Sequence, residues 1–190
     1  MRLGLFGGSF DPPHVGHLLT AGDACEALAL DRLVWVPAGV QPFKIGQARA
    51  TSAQRLEMVR LLVAGDPRYE VDPVEIERDG LSYTVDTVAA YAARHPDAER
   101  FLLVGADVLG SFPQWREPDR IRALVTLAVL ERSADGSEEG TPPAGMLRLP
   151  TRRVDVSSTE IRARLAAGRS IHGFVPESVE RFITAERLYR

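Results

Sequence analysis

Gly7-Gly8-Ser9-Phe10-Asp11-Pro12-Pro13-His14-Val15-Gly16-His17 joins a short apolar segment, Leu3 to Phe6, to a stretch of helical period. A strand, then paired glycines, then a helix start is the junction where ligands sit in an open α/β sheet. Gly7 and Gly8 let backbone approach a ligand closely, Pro13 suits the first helical turn, and the free N–H groups of a helix start attract an anion. This is the composition of a phosphate site. His14 and His17 are three apart, so in a first turn both imidazoles project to one side, with Gly16 leaving room between them. No G-x-G-x-x-G register can be drawn through the segment, so it does not fit the dinucleotide fingerprint. Two imidazoles without further ligands at a recognisable spacing do not make a metal site either. An ordinary Gly-Pro loop with two capping histidines is the structural alternative.

Outward from this junction, apolar β-branched segments alternate with segments of helical period, the pattern of a parallel sheet wrapped by helices. After the first strand, Leu3 to Phe6, a helix from about Val15 to Leu28 carries a buried stripe of Leu18, Ala21, Cys25 and Leu28. Leu33 to Val36 is the second strand and opens into a long loop, Pro37 to Ala50. Thr51-x-x-Gln54 is a capping box for a helix with Leu56, Val59 and Val63 on its apolar face. Tyr69 to Ile76 reads as a third strand, Tyr83 to Arg94 as a helix ending before Pro96, Phe101 to Val104 as a fourth strand and Val125 to Leu130 as a fifth. Ser133 to Gly145 reads as a surface loop. A short strand is expected around Val154-Val156, a helix over Ser158 to Ala167, and a last helix from Pro176. The expectation is a doubly wound, Rossmann-like parallel sheet with a C-terminal helical extension. Residues 1–190 form one domain, with a core of about 1–156 and the extension at about 157–190.

The composition narrows the function. The 190 residues are 45% hydrophobic and 26% charged with a net charge of −3, so no global positive field favours nucleic acid or an anionic membrane. Neither partner is expected. No apolar run approaches the length of a membrane span, no secretory signal opens the chain, and the single cysteine, Cys25, excludes a disulfide framework. A soluble cytoplasmic protein fits best. Of the 23 basic residues only Lys44 is a lysine. Positive charge gathers locally instead: between Met146 and Arg169 stand Arg148, Arg152, Arg153, Arg162, Arg164 and Arg169 against only Asp155 and Glu160. A polyphosphate would find that segment favourable. Within it, Ser157-x-x-Glu160 is a second capping box, so Ser158 and Thr159 sit at the positive end of a helix with Arg162 one turn on.

Taken together, these motifs resemble a known family. The G-G-S-F-D-P-P-H-x-G-H-L run resembles the H-x-G-H signature of the nucleotidyltransferase superfamily, and most closely that of the bacterial nicotinate-nucleotide adenylyltransferases. The second signature of that family, S-S-T-x-I-R, stands here as Ser157-Ser158-Thr159-Glu160-Ile161-Arg162. Between them lie Ser82-Tyr83-Thr84-Val85-Asp86-Thr87, Gly105-Ala106-Asp107 and Pro113-x-Trp115 in the family's order, and the terminal Gly-x-x-Pro and Leu188-Tyr189 are also similar. The chain departs from the pattern at Ala38, at Gln41-Pro42-Phe43-Lys44, where the family's imidazole beside the lysine is absent, and at Ser133-Ala134.

The resemblance implies adenylate transfer from ATP to nicotinate mononucleotide, with pyrophosphate released and nicotinate adenine dinucleotide formed. Nicotinamide mononucleotide or phosphopantetheine are the alternative acceptors. It implies that His14, His17 and Arg162 serve catalysis. ATP would be held by Gly7, Gly8, Ser9, Phe10, His14, His17, Lys44, Gly105, Asp107, Ser157, Ser158, Thr159 and Arg162. The acceptor nucleotide would be held by Gly8, Ser9, Lys44, Tyr83, Thr84, Trp115 and Arg132. Mg²⁺ would arrive on the ATP phosphates without a protein cage. In an arginine-biased chain the lone Lys44 offers a compact ammonium where a planar guanidinium would fit differently. Lys44→Arg is therefore expected to lower kcat/KM for ATP without changing folding stability. Unchanged steady-state kinetics would return that lysine to the solvent.

Overall fold

Strand β1 (Arg2–Gly8) buries Leu3 and Leu5 on one face and Phe6 on the other, so both of its faces are covered. A strand buried on both sides belongs in the middle of a sheet. The computed structural model describes residues 1–42, 46, 48–78, 80–131 and 146–190, and places β1 third in a six-stranded sheet. The other strands are β2 (Arg32–Pro37), β3 (Tyr69–Val71), β4 (Glu99–Gly105), β5 (Thr126–Glu131) and β6 (Met146–Pro150). All pairings are parallel and the order is β3-β2-β1-β4-β5-β6. The direction of winding reverses between β1 and β4. A crevice therefore opens at their carboxyl ends, beyond Gly8 and Gly105.

Helices cover both faces. On one side Phe6, Leu33, Trp35, Phe101 and Leu103 pack with α1 (Val15–Ala27), α2 (Ser52–Val63), α5 (Ser158–Ala166) and α6 (Glu177–Ala185). On the other, Leu3, Leu5, Val34, Leu102 and Leu127 pack with α3 (Thr84–Arg94) and α4 (Pro118–Leu124). Cys25 is 2% exposed within the first layer, and burial pushes its thiol up to about 11, which suits a small core residue. Among the described residues no helix is long and apolar enough to cross a membrane.

Four expectations from the sequence are corrected. The segment 154–156 is not a strand; the sixth strand is Met146–Pro150, paired with β5 from Leu127↔Met146 to Glu131↔Pro150. As an edge strand it buries only Leu149 and leaves Leu147 40% exposed, and Arg148 interrupts its apolar pattern, so it looked unlike a strand. The third strand stops at Val71 because the Asp72 carboxylate accepts the Val74 N–H at 2.9 Å and Pro73 has no donor for the ladder. Pro13 lies outside α1, whose N-cap is His14. On α2 Val59 and Val63 are buried as expected, but Leu56 is only half-buried and Arg55, Met58 and Leu62 complete the buried face. The Thr51–Gln54 box forms as expected, with the Gln54 N–H on Thr51 Oγ1 at 3.2 Å and the Thr51 N–H on Gln54 Oε1 at 3.0 Å.

Ile161 of α5 and Ile183 of α6 are fully buried in the same layer as Trp35 and Phe101. Truncating either is expected to cost about 2–5 kcal/mol. Chemical denaturation of Ile161→Ala and Ile183→Ala should show one cooperative transition at a lower midpoint. A separate early transition for the C-terminal helices would contradict the single-domain reading.

Candidate active site

The site begins where β1 runs out. His14 caps α1, and its backbone N–H donates to Nδ1 of His17 at 3.2 Å. A neutral ring that accepts at Nδ1 carries its proton on Nε2, so His17 presents an N–H donor on its outer edge. The two imidazole centroids are 3.7 Å apart, and the edges of Phe10 and Phe6 back the His17 ring at 5.2 and 6.2 Å. Gly16 is required by this arrangement: a Cβ there would lie 2.9 Å from Nδ1 of His14. Phe10 itself is 2% exposed, at φ 49°, with its ring turned into the core, so only its backbone can meet a ligand. The helix start is less open than the sequence suggests, because the Val15 N–H donates to the Phe174 carbonyl and those of His17 and Leu18 donate to the His14 carbonyl.

The C-terminal signature closes onto this loop. Ser157 caps α5 by accepting the Glu160 N–H at 3.1 Å. Ser158 Oγ donates to the Pro12 carbonyl at 2.8 Å, and the Arg162 guanidinium donates to the Asp11 carbonyl at 2.7 Å and to Thr159 Oγ1 at 3.2 Å. Four of the other arginines of this region are engaged elsewhere. Arg148 pairs with Glu131, Arg152 with Asp23 and Arg153 with Asp155, while Arg164 donates to the Ser170 carbonyl and lies over the Phe174 ring. Arg162 is the member of the group that reaches the loop.

Asp11 anchors the assembly from behind. Its carboxylate, 5% exposed, accepts the Arg49 and Ala50 N–H groups at 2.8 and 3.1 Å and the Tyr189 hydroxyl at 2.7 Å. Burial, then the bond to Asp11, pushes the Tyr189 phenol well above its usual range. Beside it Arg55, 2% exposed, donates to the Ser9 carbonyl at 2.8 Å, to Gly39 O at 3.4 Å and to Ser52 Oγ at 3.0 Å. Burial lowers the pKa of this guanidinium, with the Asp11 charge opposing.

Next to the loop a cavity of about 620 Å³ lies over the carboxyl ends of β1 and β4. Gly7, Gly8 and Ser9 form one wall, Gly105 and Asp107 another, and Tyr83, Thr84 and Trp115 the far end. Ser9 Oγ donates to Gln41 Oε1 at 2.9 Å, and a Cβ on Gly105 would lie 2.3 Å from the Asp107 carboxylate, which folds back over that glycine. Tyr83 caps α3 without a side-chain hydrogen bond, so the orphan amides of that first turn are not capped by it. Glu75 lines the same cavity, accepts the Thr87 hydroxyl at 2.8 Å, and is held above the usual carboxylate range by burial. Among the described residues no cluster of three or more His, Cys, Asp or Glu side chains could hold a metal.

The cytidylyltransferase-like family model matches residues 5–164. A protein of Gemmatimonas aurantiaca named "Probable nicotinate-nucleotide adenylyltransferase" is 53% identical over all of this chain and 93% of its own length. One of Thermus thermophilus with the same name is 45% identical over the full length of both. The chain belongs to the nicotinate-nucleotide adenylyltransferase family. The fold agrees: the structure of a Plasmodium falciparum nicotinic acid mononucleotide adenylyltransferase complexed with NaAD matches with a TM-score of 0.75 over 99% of this chain and 97% of that one, at 15% identity.

The residues that the family signatures single out thus form two adjoining groups. Gly7, Gly8, Ser9, Tyr83, Thr84, Gly105, Asp107 and Trp115 line the cavity. His14, His17, Ser158, Thr159 and Arg162 gather around the 11–17 loop. Lys44 and Arg132, and the departures at Phe43 and Ser133-Ala134, lie outside the described residues. Sequence reasoning missed Arg55, Gln41 and Glu75. For Arg55 a signal existed, since a charged residue on the core-facing stripe of α2 must have a buried partner.

Removing the Tyr189 hydroxyl leaves the buried Asp11 carboxylate short of one donor. Tyr189→Phe is expected to cost about 1–3 kcal/mol of unfolding free energy, the range for a hydrogen bond to a buried charge. Urea denaturation checks it; an unchanged midpoint would show that water replaces the phenol.

Proposed function

We propose that the protein transfers adenylate from ATP to nicotinate mononucleotide, forming nicotinate adenine dinucleotide and pyrophosphate. One observation carries the reading. A single cavity, lined by Gly7, Gly8 and Ser9 where they lead into the histidine loop, also takes in the Trp115 ring and the start of α3 at Tyr83 and Thr84, which suits a flat ring bearing an acid. The full-length relatives carry the same activity in their names.

The reaction needs no protein nucleophile. An oxygen of the acceptor phosphate attacks the α-phosphorus in line, the bond from that phosphorus to the bridging oxygen breaks, and pyrophosphate leaves. The protein supplies positioning and donors. Nε2–H of His17 donates to the α-phosphate oxygen where negative charge grows, with its tautomer held by the His14 N–H. His14 and the backbone of Ser9 and Phe10 hold the phosphates. The start of α5, with Ser157, Ser158, Thr159 and Arg162, carries the β- and γ-phosphates. Asp107 accepts from ribose hydroxyls of the adenosine near Gly105. Trp115 stacks on the pyridine ring, and the amides at Tyr83 and Thr84 meet its carboxylate. Lys44 and Arg132 complete the phosphate contacts.

The donors on the protein side of this site are imidazole, hydroxyl and guanidinium, which fit phosphate oxygens better than a bare Mg²⁺. Mg²⁺ would therefore come with the ATP phosphates, where it would offset their charge. A cytoplasmic setting is part of this reading, and the free thiol of Cys25 is compatible with it.

Loss of one transition-state donor typically costs about 3–4 kcal/mol of barrier. His17→Ala should therefore lower kcat by about 10²–10³-fold. Pyrophosphate release measured with ATP and Mg²⁺ against nicotinate mononucleotide, nicotinamide mononucleotide or phosphopantetheine in turn identifies the acceptor. Release with none would defeat the enzyme reading, and near-normal turnover by His17→Ala would remove its role.

A further inference from the structure

Among the described residues three charged side chains line the cavity: Glu75, Asp107 and Arg116. Two are acidic, yet the proposed acceptor is an anion at both ends. Arg116 follows the cavity-lining Trp115 and precedes α4, in the connection between the 3₁₀ turn Phe112–Gln114 and that helix. Its guanidinium carbon lies 4.7 Å from the centroid of the Tyr83 ring, and Tyr83 is the N-cap of α3. The planar cation is thus stacked onto the residue whose amide opens the uncapped helix start. Its ionic neighbours are distant: Asp86 at 4.0 Å and Glu117 at 3.7 Å, both in solvent-exposed pairs worth little. No hydrogen bond in either pair consumes the fork geometry of the guanidinium, and Arg116 lines the cavity beside the ring on which it stacks.

We infer that Arg116 is a specificity-determining residue, whose guanidinium favours an acceptor ring bearing a carboxylate over one bearing a carboxamide. The inference rests on the nicotinate mononucleotide reading above. The amides at the start of α3 favour a carboxylate but also donate to a carboxamide oxygen, so they separate the two acceptors only in part. A full positive charge separates them, because only the carboxylate carries a net charge to attract. Arg116 also offsets the negative potential of Glu75 and Asp107, which would otherwise work against the acid.

Steady-state kinetics of the intact protein with nicotinate mononucleotide and nicotinamide mononucleotide test this in the wild type, Arg116→Gln and Arg116→Lys. Arg116→Gln is expected to lower kcat/KM for the nicotinate substrate about tenfold through KM, the scale of one charge-assisted contact in a partly exposed site. For the nicotinamide substrate the loss should be less than about threefold, so that the preference ratio falls. Arg116→Lys should lie between, keeping the charge but not the stacked plane. Equal losses on both substrates, or an unchanged ratio, would overturn the role of Arg116 while leaving the nicotinate reading intact. A wild type that does not turn over nicotinate mononucleotide would overturn that reading, and Arg116 with it.

Discussion

A carboxylate buried away from water is costly unless donors surround it, and Asp11 is buried in the middle of the loop that makes the site. Its donors come from two distant parts of the chain, the Arg49 and Ala50 amides at the end of the loop after β2 and the phenol of Tyr189 at the C-terminus. Satisfying one side chain therefore fixes three segments against one another. The backbone of the same residue extends the constraint, because its carbonyl accepts Arg162 of the second signature. The shape of the loop is thus tied to the docking of the last residues of the chain.

That dependence explains how the C-terminal segment contributes. Phe174 accepts the first amide of α1, Ser158 holds the Pro12 carbonyl, and Ser178 of α6 donates to the Leu61 carbonyl on α2. Each contact links the segment after β6 to the first third of the chain, over separations of more than a hundred residues. The histidines are therefore supported from both sides, by Phe6 and Phe10 in the core and by α5 and the 170s across the loop. Rigidity of this kind is what a reaction without a protein nucleophile requires, since positioned donors supply most of the barrier reduction.

The sheet and its helices were legible because strands buried on both faces show unbroken apolar runs and helices show a 3.6 period, as Val125 to Leu130 and Val15 to Leu28 do. The edge of the sheet was not, because β6 is half exposed and carries Arg148 in its middle. Within the site, His14, His17 and Arg162 were legible through short-range spacing in signatures. Arg55 was hidden because its role depends on carbonyls of Ser9 and Gly39 that no spacing connects to it. The arginine-rich segment misled for the opposite reason. Its local charge excess is real in the sequence, yet Glu131 and Asp23 neutralise two of its members from other elements.

The signature glycines carry a related lesson. Read as sequence, Gly7 and Gly8 let the backbone approach a ligand, and Gly16 leaves room between the two imidazoles. A Cβ on Gly8 would instead lie 2.9 Å from the Phe10 ring, and one on Gly16 would press on His14, whereas Gly7 has open space where its Cβ would be. Of the three only Gly7 has open space at its Cβ position, and the other two leave room for side chains of the loop itself. Phe10 at φ 49° would be unfavourable in a free chain, and the ring contacts with Gly8, Phe6 and Trp35 hold it there. With its ring folded under, the loop turns its backbone outward and sets His17 against the Phe10 edge. The spacing of the signature is thus set as much by how the loop packs on its own glycines as by the phosphates it would bind.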